Sequence, residues 1–446
     1  MKLAHNNAFG SIAFVTMGCA KNEVDSADMA EKLVASGYDI TDDPETADVV
    51  IVNTCSFIQS ATEESIDAVL EVAGLENVAE GHSHLIVSGC MPARYGDELS
   101  AELPEARAFV PCSKEDDIVQ VVDEVLSTNR SSPNIAPVGA PASGSAHVNG
   151  ASAYVKISDG CNRFCSYCAI PYIRGRYHSF TLEEIERNVS KRINEGAREI
   201  VLIAQDTGRW GDDFPEKSSL ARLMSTLAEK HPDTWFRVMY IQPEGVTDEL
   251  ISAVAQHDNI CSYFDLPFQH VNPDLLKAMN RRGGAQEYNQ LIAHIRESIP
   301  DVTIRTTLIA GFPGETDEQF DELCEFVAEA DIDYIGTFAY SREEGTGAYD
   351  LPNQINEDEK IDRAQRLRDL ADSVSIPRVA ARIGSTMPVL ICAREEDDQL
   401  YGRAMCQAPE VDGVTYLDKE AGEIGGIVTV KIDDTLLYEM EGTVLP

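Results

Sequence analysis

Three cysteines stand at C-x3-C-x2-C spacing in Asp159-Gly160-Cys161-Asn162-Arg163-Phe164-Cys165-Ser166-Tyr167-Cys168. Thiolates are soft ligands that select zinc or iron–sulfur clusters. A structural zinc site wants four ligands, usually as two C-x2-C pairs, and the chain has no second such pair. Three thiolates on a four-iron cube leave one iron open for a substrate or cofactor. A zinc knuckle or a chance cluster is the bland alternative, and it leaves a ligand missing.

A second set of thiols is spread through the amino-terminal part. Cys19 lies in Met17-Gly18-Cys19-Ala20-Lys21-Asn22, Cys55 in Asn53-Thr54-Cys55-Ser56-Phe57, and Cys90 in Ser88-Gly89-Cys90-Met91-Pro92. Each string follows a short apolar run, at 12–15, 49–52 and 85–87, that reads as a buried strand. Amphipathic helical patterns at 25–35 and 61–72 alternate with these runs, and a further short strand is expected at 108–110. Such alternation argues a doubly wound parallel sheet. The loops after its strands lie at the carboxyl edge, where open α/β sheets bind ligands. Three thiols would therefore meet at one edge. Cys112 follows the fourth run beside Pro111 and is read as a packed or surface cysteine; unrelated buried thiols are the alternative for the other three.

The 446 residues suit about three domains at ~150 residues each. A 43% hydrophobic fraction supports ordinary cores. Acidic residues outnumber basic ones 76 to 36, a net charge of −40, which repels nucleic acid and anionic membrane and attracts a basic partner. A proteome-wide acidic bias is the plain alternative. Eleven cysteines are too dilute and odd in number for a disulfide scaffold. The start Met1-Lys2-Leu3-Ala4-His5-Asn6-Asn7 lacks a secretory apolar region, and no run reaches the ~18–20 apolar residues of a membrane span. A cytoplasmic protein with free or metal-bound thiols is expected.

The expected organisation is an amino-terminal α/β domain at 8–128, a flexible Ser/Pro/Gly linker at 129–150, a βα barrel at 151–374 and a small OB-like β-barrel at 375–446. In the middle domain strands are expected at 153–157, 199–203, 236–240, 263–266, 302–306 and 334–338, enough for a partial or complete barrel with chemistry at the carboxyl ends. Polar residues past those ends become candidates: Gln205-Asp206-Thr207, Gln242, Glu244, and Gln269-His270. Gly311-Phe312-Pro313-Gly314-Glu315-Thr316 opens a helix whose amino terminus can receive an anion. A structural histidine is as fair a reading of His270 as a functional one. A charged helix at 357–372 is expected to end by Pro377. Strands at 388–392, 400–404, 415–417, 426–432 and 436–444 would form the last barrel. Its connections Glu395-Glu396-Asp397-Asp398, Pro409-Glu410-Val411-Asp412-Gly413 and Asp433-Asp434 make a poor phosphate clamp, so nucleic-acid binding is not expected there.

These motifs resemble the radical S-adenosylmethionine enzymes, and within them the methylthiotransferase branch with its terminal TRAM domain. The strings around Cys19, Cys55, Cys90 and Gln205-Asp206-Thr207 are similar to the members that modify a ribosomal protein, because the tRNA-modifying members usually carry Asn after the corresponding Gln. Phe268 and Met17 stand where Leu is commoner in the family. The resemblance implies two [4Fe–4S] clusters: one on Cys161, Cys165 and Cys168 that binds and reductively cleaves S-adenosyl-L-methionine, and one on Cys19, Cys55 and Cys90 that carries a sulfide. Two S-adenosylmethionine molecules would be used, one to methylate that sulfur and one to generate the 5′-deoxyadenosyl radical. The product would be a methylthio group on the β-carbon of an aspartate in ribosomal protein S12, a basic protein. Tyr167 would lie near the adenine, and Gln205, Gln269, His270, Gly311 and Gly314 are the further cofactor-binding candidates. No other catalytic residue is implied. A low-potential electron donor and a sulfur source are required as partners. The alternatives are a tRNA adenosine methylthiotransferase and a non-catalytic metal-binding scaffold.

Overall fold

The computed structural model describes residues 9–127, 151–396 and 398–446. The expected linker at 129–150, the residue before it, the first eight residues and Asp397 lie outside the described residues. Two compact units are present. One comprises the described residues up to 127 with Gly160–Asn162 and Cys168–Arg176; the other comprises 151–159, Arg163–Tyr167 and Tyr177–Pro446.

The first unit is built on five parallel strands: β1 (Ser11–Thr16), β2 (Asp39–Thr41), β3 (Val49–Thr54), β4 (His84–Gly89) and β5 (Ala108–Pro111). Their order is β2-β1-β3-β4-β5, with Ile12 opposite Val49 and Val49 opposite His84. Every residue of β3 is buried, which explains its unbroken apolar run: helices cover both faces of a parallel sheet. The period of two sorts the side chains. Val50, Val52, Leu85 and Val87 enter one core, while Val49, Ile51 and Ile86 enter the other. Chain direction across the sheet reverses between β1 and β3, the switch point at which such folds bind ligands.

In the second unit β6 (Ser152–Lys156) leads into an antiparallel ribbon of β7 (Ser158–Asp159) and β8 (His178–Ser179). Next come β9 (Glu199–Ile203), β10 (Trp235–Val238), β11 (Tyr263–Asp265), β12 (Thr303–Ala310) and β13 (Tyr334–Ala339). They form two parallel sheets, β10-β9-β6 and β11-β12-β13. A bridge between Phe236 and Ile260 carries the order from one sheet to the other, giving a partial βα barrel. One continuous core of side chains such as Val155, Leu202, Phe236, Leu266 and Ile304 fills it. The covering helices start where their sequences say they should. Thr181 and Thr316 form capping boxes with Glu184 and Gln319, satisfying amide donors that a helix start leaves open.

The carboxyl-terminal strands β14 (Thr386–Arg394), β15 (Leu400–Ala404), β16 (Thr415–Leu417), β17 (Ile427–Leu436) and β18 (Glu439–Val444) close into a barrel ordered β14-β15-β16-β18-β17. Two expectations need correction. The fourth strand runs on to Leu436, and the chain turns at Leu437, which adopts φ +56°. No Gly or Asn marks that turn, so the pattern hid it. The helix Glu357–Ala380 also continues through Pro377. A proline three residues from the end forfeits one amide bond but leaves its carbonyl free to cap, and Ala381 N–H donates to it at 2.9 Å.

At the amino ends of the barrel strands a buried ionic network ties in the last barrel. Arg237 is fully buried and donates to Glu199 at 2.9 Å. Arg403 also reaches Glu199, Tyr263 donates to Asp412, and Arg305 donates to Asp265 at 2.9 Å.

Candidate functional sites at the strand ends

The three thiols of the first unit occupy the positions their strings predict, directly past β1, β3 and β4. Cys19 is exposed and is the residue before the helix Ala20–Ala35. Cys55 and Cys90 are buried. Gly18, at φ +95°, lies so close to Cys55 that a Cβ would stand 2.9 Å from its Sγ. Gly89, also at φ +95°, would place a Cβ 2.2 Å from Asn53 Oδ1. Both Gly-Cys steps therefore need glycine for conformation and for space. Two asparagines lace the loops together. Asn22 donates to the carbonyls of Met17 (2.9 Å) and Thr54 (3.0 Å), and Asn53 donates to Asn22 O and Ser26 Oγ at 2.9 Å each.

Two guanidinium groups serve this edge, and Arg94 donates to Ser56 O at 2.8 Å. Arg174 donates to Asn22 Oδ1 at 2.8 Å and Asp25 at 2.7 Å, and its Nη2 stands 3.9 Å from Cys90 Sγ. Burial pushes the Cys55 thiol up to about 11, and the neighbouring sulfurs of Cys90 and Cys19 add to the rise. Cys90 moves the other way, because the Cys112 thiol hydrogen-bonds to it and Arg174 favours its thiolate. Cys112 is pushed up by that same bond and by burial, and its Sγ lies 3.3 Å from the Ile173 carbonyl. Cys112 is packed, as its sequence position suggested, against the cluster of Cys90, Ala169 and Ile173. Gly89 pairs with Pro111 in the sheet, so the next residues, Cys90 and Cys112, leave adjacent strands side by side; register was the missing signal. Asn22 and Arg174 were also missed.

Among the described residues, no group of three or more His, Cys, Asp or Glu side chains converges to hold a single ion. A four-iron cube takes one thiolate per corner, so its ligands stand wider apart than those of one ion. Soft donors, one depressed thiol and a glycine-lined edge at the switch point fit such a cube.

Of the C-x3-C-x2-C cysteines, Cys161 and Cys168 belong to the first unit and Cys165 to the second. Cys161 N–H donates to Gly175 O at 3.1 Å, and Gly160, at φ +72°, would place a Cβ 2.3 Å from Arg176 O. Around Cys165 the backbone is pinned from several sides. Asn280 donates to Arg163 O (2.9 Å) and Phe164 O (3.0 Å), and Ser166 donates through Oγ to Ala278 O at 2.7 Å. Phe164, Tyr240, Gln269 and Asn280, all non-glycine, adopt φ of +51°, +61°, +71° and +57°. Each such residue costs roughly 1–3 kcal/mol, and such strain concentrates at functional sites.

The carboxyl ends of β9 and β10 carry a second polar group. Arg163 donates from Nε to Asp206 Oδ2 at 2.5 Å and from Nη1 to Glu244 at 3.1 Å. Burial pushes the Asp206 carboxyl above its ordinary range against the pull of Arg163. Gln205 Nε2 and Oε1, Asp206 Oδ1 and Gln242 Oε1 are buried without a hydrogen-bond partner. Tyr167 is half-buried against the barrel core, with Arg281 Nη1 3.5 Å from its hydroxyl.

The remaining candidates are drawn inward. His270 is fully buried; its Nδ1 accepts from Asn272 N–H at 3.0 Å and its Nε2 faces Glu315 at 3.4 Å. The Gly311 amide is taken by both Glu315 oxygens at 3.0 Å, and Arg363 holds that carboxylate at 2.8 Å. The Gly311 turn is thus closed by the chain's own Glu315 carboxylate, ahead of the helix that starts at Asp317. Gly314 N–H donates to Asn353 O at 3.0 Å. Gln269 donates its amide to Thr307 O at 2.8 Å and accepts from Ile309 at 2.7 Å, continuing the strand pairing.

Comparison with known families matches residues 11–111 to Uncharacterized protein family UPF0004, 155–327 to the Radical SAM superfamily and 383–445 to the TRAM domain. Similar proteins include the ribosomal protein uS12 methylthiotransferases RimO of Natranaerobius thermophilus and Geobacter sulfurreducens. The first is 40% identical over 97% of this chain and 98% of its own. The second is 39% identical over 99% and 100%. Among solved structures, the radical S-adenosylmethionine methyltransferase TsrM from Kitasatospora setae superposes with a TM-score of 0.55 at 14% identity, covering 74% of each chain. The cobalamin-dependent enzyme OxsB gives 0.51 at 10% identity over 80% of this chain and 56% of its own. These two are likenesses of fold.

Proposed function

This chain belongs to the family of ribosomal protein uS12 methylthiotransferases, and from that membership we propose that it places a methylthio group on the β-carbon of an aspartate in uS12. The observation that carries the reading is the pairing of two soft-ligand sets in one chain: the C-x3-C-x2-C loop, and three thiols past β1, β3 and β4. Cys161, Cys165 and Cys168 hold one [4Fe–4S] cluster, and Cys19, Cys55 and Cys90 hold the other. When bound, the clusters and S-adenosylmethionine supply the radical and sulfur chemistry that protein side chains cannot perform.

The chain's own residues bind and orient. Arg174 keeps the field at Cys90 favourable to a thiolate. Asn280 and Ser166 fix the backbone on either side of Cys165. Tyr167, Gln205 and Gln269 would contact the cofactor, and His270, Gly311 and Gly314 would support it by holding the loops after β11 and β12. The working segments are the sulfur-carrying domain at 8–128, the linker at 129–150, the barrel at 151–374 and the TRAM-type barrel at 375–446. The protein works in the cytoplasm, draws on a low-potential electron donor and a sulfur source, and its acidic surface suits a basic protein substrate. No helix of the described residues is long and apolar enough to cross a membrane.

Mass spectrometry of uS12 from cells with and without this chain tests the reading. A methylthio increment on one aspartate, present only with the chain, is expected. Its absence sinks the proposal, and the same increment on a tRNA adenosine would move the chain to the tRNA-modifying branch.

A further inference from the structure

Residues 273–284 carry three cations, Lys277, Arg281 and Arg282, against the single carboxylate of Asp274, whereas the whole chain holds 36 basic and 76 acidic residues. The local charge is therefore the reverse of the protein's own. This segment is also the bed on which the Cys165 loop lies. Asn280 Nδ2 donates to Arg163 O and Phe164 O, Ser166 Oγ donates to Ala278 O, and Ser166 N–H donates to Met279 O at 3.0 Å. Cys165 is only half-buried, so a partner seated on this bed comes up against a ligand loop of the radical-generating cluster.

Two of the three cations face outward. Arg281 is buried and donates to Pro267 O at 2.7 Å. Lys277 and Arg282 are exposed, and neither side chain has a hydrogen bond or ion pair among the described residues. Their backbones are held. The Lys277 carbonyl accepts from Asn280 N–H at 3.1 Å. The Arg282 carbonyl accepts from the Tyr288 hydroxyl at 3.0 Å, and the Tyr288 ring stacks on Phe268 with centroids 4.2 Å apart. Gly283, at φ +124°, lets the chain pass that ring, for a Cβ there would stand 2.4 Å from the hydroxyl. A helix end favours one nearby cation, and Lys277 sits in the last turn of the helix Pro273–Ala278. A second unpaired cation on the rigid turn beyond it serves no bond of the fold.

We propose that Lys277 and Arg282 form the docking surface for the electron donor, a small acidic carrier protein of low potential. The step it serves moves one electron: the reduced carrier loses it, the [4Fe–4S] cluster gains it, and no bond forms or breaks. Electron-transfer partners meet over small interfaces and are steered by opposite charge. A net charge of −40 repels an acidic carrier, so its approach needs a local cationic landing place. Across the loop, the Glu244 carboxylate is already drawn to Arg163. The same two cations turn away a basic substrate, which gives donor and uS12 different surfaces of the chain. Two cations fall short of the clustered Lys and Arg that a nucleic-acid backbone requires.

The inference rests on the cluster assignment in the functional reading above. The test uses full-length reconstituted enzyme, with reduced flavodoxin as the acidic carrier and dithionite as a small chemical reductant. Lys277→Glu and Arg282→Glu reverse the charge. Arg198→Glu is the control, an exposed cation just before β9 at the amino end of the barrel. Calorimetric titration should show the flavodoxin Kd raised roughly fivefold by each of the first two and held within about twofold by the control, because an exposed attraction becomes a repulsion of similar size. Added salt should weaken wild-type binding. Flavodoxin-driven cleavage of S-adenosylmethionine should fall in parallel, while dithionite-driven cleavage and the melting temperature stay at the wild-type level. An unchanged flavodoxin Kd in both variants, an equal rise in Arg198→Glu, or a loss of uS12 or tRNA binding in its place overturns the docking surface. Failure of dithionite to drive cleavage by the wild type overturns the functional reading instead, and the Kd comparison still judges the surface.

Discussion

The two units place their chemistry by the same rule and stock it differently. In both, parallel strands end at one edge and the loops beyond them carry the chemistry. The edge of the doubly wound unit holds thiols, two guanidinium groups and two asparagines whose hydrogen bonds are spent on the loops themselves. The edge of the barrel holds amide and carboxylate oxygens that the protein leaves without partners. Soft donors suit a metal cluster, and unpaired hard acceptors suit an organic ligand. One architecture thus separates a ligating edge from a recognising edge.

The largest test of that contrast is to strip the ligating edge. Replacing Cys19, Cys55 and Cys90 together by alanine should lower iron on anaerobic reconstitution from about eight to about four per chain and abolish methylthiolation. An unchanged iron content would break the contrast outright.

The opposite end of the same barrel should behave as structure alone. Arg237, Glu199 and Arg403 are buried and mutually paired. Removing one partner of such a set costs about 3–5 kcal/mol, so Arg237→Met should shift urea unfolding by that much. Enzyme that still folds should keep its uS12 KM. A KM effect without a stability loss would erase the difference between the two ends.

Asp412 gives a smaller effect with a defined sign. Burial lifts its carboxyl from 3.8 to about 6, against the pull of Arg305 and the Tyr263 hydroxyl. The folded protein then holds a proton that the unfolded chain releases between those values. This group costs nothing below about pH 4, and its penalty grows to about 3 kcal/mol as pH rises through 6. Unfolding of the wild type against Asp412→Asn should show the wild type losing ground between pH 4.5 and 7. A difference flat in pH would show that Asp412 is not buried as a proton holder.

The smallest expected effect is at Cys112. It neighbours Cys90 but follows no Gly-Cys step, so Cys112→Ala should leave iron content at the wild-type level and change stability by no more than about 1 kcal/mol. A loss of iron would make it a ligand and enlarge the ligating edge.

How much of this was legible beforehand follows from range. Cysteine spacing and the short apolar runs at 12–15, 49–52 and 85–87 are local, and the structure repeats the runs as β1, β3 and β4. The turn at Leu437 and the helix through Pro377 failed because tertiary packing overrode residue preference. His270 showed only its place after a strand. That its ring would be enclosed by Asn272 and Glu315 depended on residues 2 and 45 positions away.

The sequence by itself determined the ligand chemistry: six thiols in two spacings, set past strands whose apolar runs could only be buried. Only the tertiary structure decided what surrounds them. It set Cys112 beside Cys90 through the β4–β5 register, brought Arg174 onto the same edge as Asn22 and Asp25, and left Asp206 Oδ1 and Gln242 Oε1 buried without donors. The physical reason is that ligand type resides in single side chains. Partners, charge and vacancy arise between residues that the chain keeps far apart until it folds.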